Sequence, residues 1–569
     1  MEKEDQKQKP GKFQIPKLFK PPEKGAFLGP DPMHIDELPL KTVPDYMRKR
    51  GSIWYWTGAI ISIIFVYQVI SGLLLLIYYN PADPYVSTEA VINTVPFGSL
   101  MLTTHLYGAY AMIFLIYIHM FRNYFFGAYK KPRQLQWLSG VGLLATTVGV
   151  GYFGYSMVDD VLATDATDVG RGIAGAVPFI GKYLDSIFFG NGTNLSLFQH
   201  MLAWHIILVV GIFAIFGLHF WLAEANGMMP RHRDSNYKAP SVDTEKPWYK
   251  KWYPYNMAFI IQIALFTFAF IIIIPSILAL IGNVPTLFSP FPQVPSSSPL
   301  AAFVPPYPPW FLLFVYKAVD FQFFSLAGPL SPLAATFMFA VIPLVYFLML
   351  PFIDTTDDLH PLSKPMITSF GILGIIYLIL LSAWGALAPG IAIPTSEVVI
   401  VLAIPFVVVV SGIFILSNQY KKGKFNITPK KIFSSFFIFL FVMIFAAYMF
   451  GQGFFSSISN PSGMNVFATL VSGGVMMFGA VGTSRSARIS EHFDEAPKKI
   501  SRNQYRMNKD LAMIISALLL VGSIIIAYFT FQVPIVGIVG NAQFGIGMGF
   551  LMIIAAIIVR IYRAAFYNE

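Results

Sequence analysis

The chain has 569 residues, of which 56% are hydrophobic and only 12% charged, with no cysteine and a formal net charge of +10. Soluble domains carry about 25% charged residues, so this composition, with a mean hydropathy of +0.62, excludes a soluble protein and points to many membrane spans. The missing cysteines exclude disulfides, thiolate-held zinc or iron–sulfur sites and covalent c-type haem attachment, and the cations cluster in short loops rather than on a nucleic-acid-binding surface.

Residues 1–50 read as a Lys- and Pro-rich tail without a cleavable signal pattern, ordered only by partners. Twelve apolar runs long enough to span then follow. The first eight lie near Ile53–Tyr78, Ser99–Phe126, Trp137–Met157, Phe198–Ala223, Met257–Ile281, Leu333–Phe352, Met366–Leu387 and Glu397–Leu416. The last four lie near Ile432–Phe450, Met464–Gly482, Leu511–Phe531 and Phe544–Ile561. The expected class is therefore an all-α polytopic membrane protein. Its expected parts are the tail, a four-helix unit over 51–235, a second unit over 236–420 and a four-helix extension over 421–569.

Cations follow the even-numbered spans: Lys130, Lys131 and Arg133, then Arg231 and Arg233, then Lys421, Lys422 and Lys424, then Arg485 and Arg488. The opposite loops carry Asp159, Asp160, Asp165 and Asp168 instead. Positive charge stays on the cytoplasmic side, so both termini are expected there, in a cell (plasma) membrane. Asn191 and Asn194 open glycosylation sequons in an outer loop.

Two spans contain histidine pairs with one spacing: His105 and His119, His205 and His219, each fourteen residues apart. Fourteen residues turn a helix by about 1400°, within roughly 40° of whole turns, and advance it by about 21 Å. Each helix thus shows two imidazoles on one face, one towards each side of the bilayer. Ionisable groups inside a membrane mark function, and imidazole is a haem-iron ligand. Two such helices can clamp two stacked haems, b-type or a modified a-type, in a four-helix bundle. Gly58 and Gly72, and again Gly140 and Gly154, repeat the fourteen-residue spacing on the neighbouring spans. They admit a flat macrocycle close to the backbone. Arg122 sits where it can pair with a haem propionate or anchor the span at the interface. His200 lies about 140° off the ligand face, which suits a propionate contact or a surface role. His34, His232, His360 and His492 fall in the tail or loops.

Over roughly residues 50–416 the chain resembles cytochrome b of the quinol-oxidising cytochrome bc complexes. Gly58, Gln68 and Gly72 match the family's Gly-x9-Gln-x3-Gly. His119, Arg122 and the run Asn123-Tyr-Phe-Phe-Gly-Ala-Tyr129 resemble its His-x-x-Arg-Gly-Leu-Tyr-Tyr-Gly-Ser-Tyr. Trp137, Gly140, Gly154-Tyr155, Ala176-Val-Pro-Phe-Ile-Gly181, the run from Leu350 to Asp354, and Lys364-Pro365 extend the match. Pro308-Pro309-Trp310-Phe311 stands in place of Pro-Glu-Trp-Tyr, followed by Leu312 to Tyr316.

The resemblance implies that His105 with His205 holds an outer haem and His119 with His219 an inner one. It places outer quinol near Tyr155, Pro308, Trp310 and Tyr316. It also implies a Rieske-type iron–sulfur partner, which a chain without cysteine cannot replace. Twelve spans suggest an archaeal-type member, a homodimer or a supercomplex with terminal oxidase subunits. Two departures stand out. The motif glutamate that takes a quinol proton is Pro309, leaving Asp159, Asp160 and Asp320 as acidic candidates. At the inner quinone site, Ala59, Phe259 and Ile260 replace polar family residues, and Glu224 is the remaining candidate. A dihaem conduit without bifurcation is the near alternative. A twelve-span secondary transporter is the distant one, and it gives no reason for paired histidines.

Overall fold

The computed structural model describes residues 43–48, 53–229, 249–250, 252–282, 284–422, short pieces between 443 and 477, and 507–567. The runs expected as spans nine and ten lie largely outside the described residues, as do the tail before residue 43 and several loop cations, Arg231, Arg233 and Arg485 among them.

Among the described residues, ten helices are long and apolar enough to cross a membrane, and they correspond one for one to the other ten expected spans. A bilayer offers no water to backbone N–H and C=O groups, so an apolar run of this length closes its hydrogen bonds within a helix. The bundle helices are α1 (Thr57–Leu76), α3 (Gly98–Phe125), α4 (Gln134–Ser156) and α7 (Asn194–Asn226), with α2 (Pro84–Thr94) in the loop between α1 and α3. α1 lies beside α3, α4 beside α7, and α3 touches α4. The loop between α4 and α7 folds into two amphipathic helices, α5 (Val161–Gly175) and α6 (Gly181–Phe189). Asp160 starts α5 by accepting a hydrogen bond from Ala163 N at 2.8 Å.

The second half begins with α8 (Met257–Ile281) and the short α9 (Leu313–Val319). The sixth span is broken: a 3-10 segment leads into α10 (Ser331–Thr336), which runs through a π-turn into α11 (Ile342–Ile353). α12 (Pro365–Leu387) and α13 (Thr395–Lys421) complete it. Trp137, Tyr124 and Phe121 of the bundle pack against Phe347 and Leu350 of α11, which fixes the second half to α3 and α4. Lys130 and Lys364 each lie 3.1 Å from Asp354 Oδ2, and Tyr129 Oη donates to the same oxygen at 2.6 Å. This buried cluster ties the loop after α3 to the loop before α12.

The last described helices are α14 (Lys509–Thr530) and α15 (Ile538–Tyr562). α15 packs along α8, where added methyls at Gly545 and Gly549 would overlap Ser276 Oγ and Ile273 Cγ1. Small residues let two apolar helices approach where lipid gives no hydrophobic drive to pack. Among the described residues, β1 (Val43–Pro44) pairs antiparallel with β2 (Tyr249–Lys250) over two residues.

Candidate functional site

The four paired histidines meet in two layers inside the bundle. In the first layer His105 of α3 and His205 of α7 face each other with ring centroids 6.5 Å apart. A metal held by two imidazoles needs ring centres roughly 6 Å apart, from two bonds of about 2.0–2.1 Å plus the reach of each nitrogen. A methyl group on Gly72 would meet His105 Cε1 at 3.2 Å, and one on Gly154 would meet His205 Cε1 at 2.8 Å. In the second layer Gly58 stands in the same way against His119 at 3.2 Å, and Gly140 against His219 at 3.0 Å. The nearest neighbours of these glycines are the imidazole edges.

The hydrogen bonds assign one tautomer to all four rings. Ser71 Oγ lies 2.8 Å from His105 Nδ1 and spends its own proton on Tyr67 O at 2.8 Å. Thr57 Oγ1 lies 2.9 Å from His119 Nδ1 and donates to Trp54 O, and Ser139 Oγ lies 3.0 Å from His219 Nδ1 and donates to Gln136 O. Each hydroxyl therefore accepts from Nδ1–H. His205 Nδ1 donates to the backbone oxygen of Val150 at 3.0 Å. With the proton on Nδ1, every Nε2 keeps a lone pair for a metal. The Nε2 lone pair of His119 accepts from Asn123 Nδ2 at 3.0 Å.

Among the described residues there is no group of three or more His, Asp or Glu able to hold a bare metal ion. Paired imidazoles beside glycines fit a haem, whose iron they would hold. The orienting hydroxyls were overlooked in the sequence, although a signal exists: Thr57-Gly58, Ser71-Gly72 and Ser139-Gly140 repeat hydroxyl-Gly, and only Phe153-Gly154 departs, so a carbonyl serves there.

Arg122 lies beside the second layer. Its Nη1 donates to Asn123 Oδ1 at 2.8 Å, and its guanidinium stacks 4.7 Å from the Tyr55 ring and 4.5 Å from Phe126. Gln68 Nε2 donates to the backbone oxygen of His105 at 2.9 Å, bracing α1 against α3. His200 bonds back to Ser196 O of its own helix at 2.7 Å, and His360 caps Leu362 N. Glu224 is half-buried near the end of α7. Ala59, Phe259 and Ile260 belong to one apolar cluster with Trp56, and the buried Arg563 guanidinium covers the Phe259 ring at 4.6 Å.

A cavity of about 140 Å³ is lined by Asp165, Ala166, Tyr307, Pro308, Tyr316, Lys317 and Asp320 with further apolar groups. Tyr155 follows Gly154 directly, and its hydroxyl donates to Tyr307 O at 3.2 Å; that of Tyr316 donates to Ala166 O at 3.0 Å. Thus Pro308 and Tyr316 line the cavity, and Tyr155 braces its wall. Trp310 is outside the lining and packs edge-on against Tyr110 at 6.1 Å. Asp160 is committed to structure: Oδ1 caps α5 and Oδ2 accepts from Gln293 N at 2.7 Å. Asp320 is paired with Lys317 at 3.1 Å. Burial raises the carboxyls of Asp159, Asp160, Asp165 and Asp320; for Asp165, neighbouring Asp168 and Asp160 add to the rise.

Fold and site together define a polytopic helical membrane protein with two layers of paired, pre-oriented imidazoles. Residues 110–293 match the family described as cytochrome b (N-terminal)/b6/petB. The chain is 40% identical over 428 residues to cytochrome b of Sulfolobus acidocaldarius, covering 70% of this chain and 74% of that one. It is 31% identical over 200 residues to cytochrome b6 of Porphyra purpurea, 34% of this chain and 90% of the relative. A solved hyperthermophilic respiratory Complex III superposes with a TM-score of 0.48 at 21% identity, over 67% of this chain and 92% of that chain. The chain belongs to the cytochrome b family, and membership implies haem.

Proposed function

We propose that this chain is the dihaem subunit of a bc-type respiratory complex, which oxidises quinol at the cavity and moves electrons across the bilayer. Haem iron between two imidazoles supplies a one-electron couple. His105 with His205 would hold one haem and His119 with His219 the other, the histidines of each helix standing about 21 Å apart along its axis. The observation that carries the proposal is the anchoring of all four Nδ1 atoms by a hydroxyl or a carbonyl, which turns each Nε2 to iron once Asn123 gives up its bond to His119.

The chain's own groups divide the remaining work. Thr57, Ser71, Ser139 and the Val150 carbonyl orient the ligands, the glycines set their approach, and Arg122 offers a cation to a propionate. Tyr155, Pro308 and Tyr316 form the quinol pocket, and Trp310 packs behind it. A Rieske-type iron–sulfur protein is the partner this cysteine-free chain requires, with terminal oxidase subunits or another acceptor downstream and a second copy or a supercomplex around it. The cation-rich loops support a cytoplasmic second layer and cytoplasmic termini in the plasma membrane. Glu224, half-buried near the end of α7, is the candidate for an inner quinone site.

The test is a pyridine-haemochrome assay on purified protein. Wild type should carry two haems per chain and His119→Leu one, with the first-layer spectrum intact. A His119→Leu protein that keeps both haems would refute the assignment.

A further inference from the structure

Quinol oxidation releases protons as well as electrons, and the position where a proton-accepting glutamate stands in the resembled motif is Pro309, which has no acid–base chemistry. The cavity must provide another base. The hydroxyls of Tyr307, Tyr155 and Tyr316 are neutral phenols, each donating to a backbone carbonyl. Both oxygens of Asp160 are occupied by backbone N–H groups, and Asp159 is not in the lining. Asp320 lines the cavity but is held by Lys317, whose ammonium also binds Ala388 O and Ile391 O at 2.8 Å each. Its Oδ2 is therefore taken up by a fully buried ammonium rather than open to a quinol hydroxyl. Asp165 remains. It lines the cavity, its residue is exposed at the surface, and no cation lies within ion-pair distance of it among the described residues. It is one residue before Ala166, whose carbonyl Tyr316 grips, so α5 holds it at the pocket rim.

Resting on the quinol reading above, we infer that Asp165 is the base of this cavity: its carboxylate takes a quinol hydroxyl proton and hands it to water at the mouth. In the balanced step a quinol becomes a quinone by losing two electrons and two protons. The electrons go to two one-electron acceptors of the assembled complex, an iron–sulfur centre on the partner and the first-layer haem. One quinol O–H bond breaks as an O–H bond forms on Asp165, and the other proton passes to water at the rim.

The charged and titratable groups around Asp165 set its working range. Asp168 on α5 and Asp160 at its cap push its carboxyl upwards after burial. Tyr155 faces it from α4, Tyr316, Lys317 and Asp320 from α9 and the residue after it, and Tyr307 from the preceding loop. Turnover needs the ionised form, so it should fall as pH drops through the raised carboxyl. Asp168→Asn removes an upward push and should move that acid limb to lower pH.

The experiment uses the purified complex with its iron–sulfur partner, a short-chain benzoquinol as donor and stopped-flow haem reduction. Asp165→Asn should lower kcat about 100-fold or more, leaving KM, haem content and haem spectra as in wild type, and Asp165→Glu should restore most of the rate. Infrared difference spectra on quinol addition should show a protonated-carboxyl band that Asp165→Asn lacks. Wild-type turnover and acid limb in Asp165→Asn would overturn the assignment while leaving the quinol cavity standing. A raised KM with unchanged kcat would also overturn it, making Asp165 a binding group. A wild-type complex that oxidises no quinol would remove the quinol reading and this inference together.

Discussion

Gly154→Ala tests whether the glycines serve the imidazoles. The new Cβ would sit 2.8 Å from His205 Cε1 and 3.0 Å from Nδ1, closer than side-chain carbons normally stand. The ring must then move away from α4, which stretches its bond to Val150 O, now 3.0 Å. Overpacking costs about 1–3 kcal/mol, and a lost hydrogen bond about 0.5–1.5 kcal/mol. Alanine returns about 0.5–1 kcal/mol through helix propensity. The central net loss is about 2 kcal/mol, or roughly thirty-fold in occupancy of the productive ring position. Gly142 is the matched control, since nothing lies within 4 Å of its added Cβ and only the propensity gain applies. Redox titration with reduced-minus-oxidised spectra of the purified variants should show the first-layer haem lost or shifted in Gly154→Ala, the second-layer haem retained, and Gly142→Ala like wild type. Wild-type haem content and potentials in Gly154→Ala, or equal damage in Gly142→Ala, would refute the reasoning.

Ser139→Ala leaves only the Gln136 carbonyl beside His219 Nδ1–H and removes its bond to the hydroxyl acceptor. That bond makes the ligand more basic and favours oxidised iron, so its loss should raise the second-layer midpoint potential, by up to about 60 mV for a bond of about 1.5 kcal/mol; an unchanged or lower potential in the same titration would contradict the tautomer assignment. Asp354→Asn leaves the buried Lys130 and Lys364 without their anion, and should destabilise the protein by about 3–5 kcal/mol, read as a lower thermal midpoint in detergent. In wild type, burial pushes the Asp354 carboxyl up, but hydrogen bonds from Thr356 and Tyr129 and the Lys364 ammonium bring it down to about 2. Its folded value is depressed, so its stabilisation is present above the unfolded value of about 3.9 and is lost as pH falls towards 2. Thermal midpoints should drop over that acid window in wild type and less so in Asp354→Asn.

Much of this protein is written in local periodicity. Ten spans coincide with ten apolar runs because a bilayer leaves a long apolar segment only one way to satisfy its backbone. The fourteen-residue repeats of histidine and glycine are legible because helical geometry converts spacing directly into a shared face. The amphipathic α5 and α6 are less visible, since short helices in a polar loop carry no such length signal.

Contacts between distant segments are decided only when the helices pack. The placing of α3 and α7 on facing sides of the bundle puts His105 opposite His205. The hydroxyls of Ser71 and Ser139, each just before a spaced glycine, become ligand anchors because α1 lies against α3 and α4 against α7. Asp159, Asp160, Asp165 and Asp320 are alike as letters, but folding commits Asp160 to a cap, pairs Asp320 with Lys317 and puts Asp165 at a cavity rim. Periodicity along one helix is a property of the chain, whereas Gln293 N at Asp160 Oδ2 and Lys130 at Asp354 come from more than a hundred residues away, and only packing chooses them.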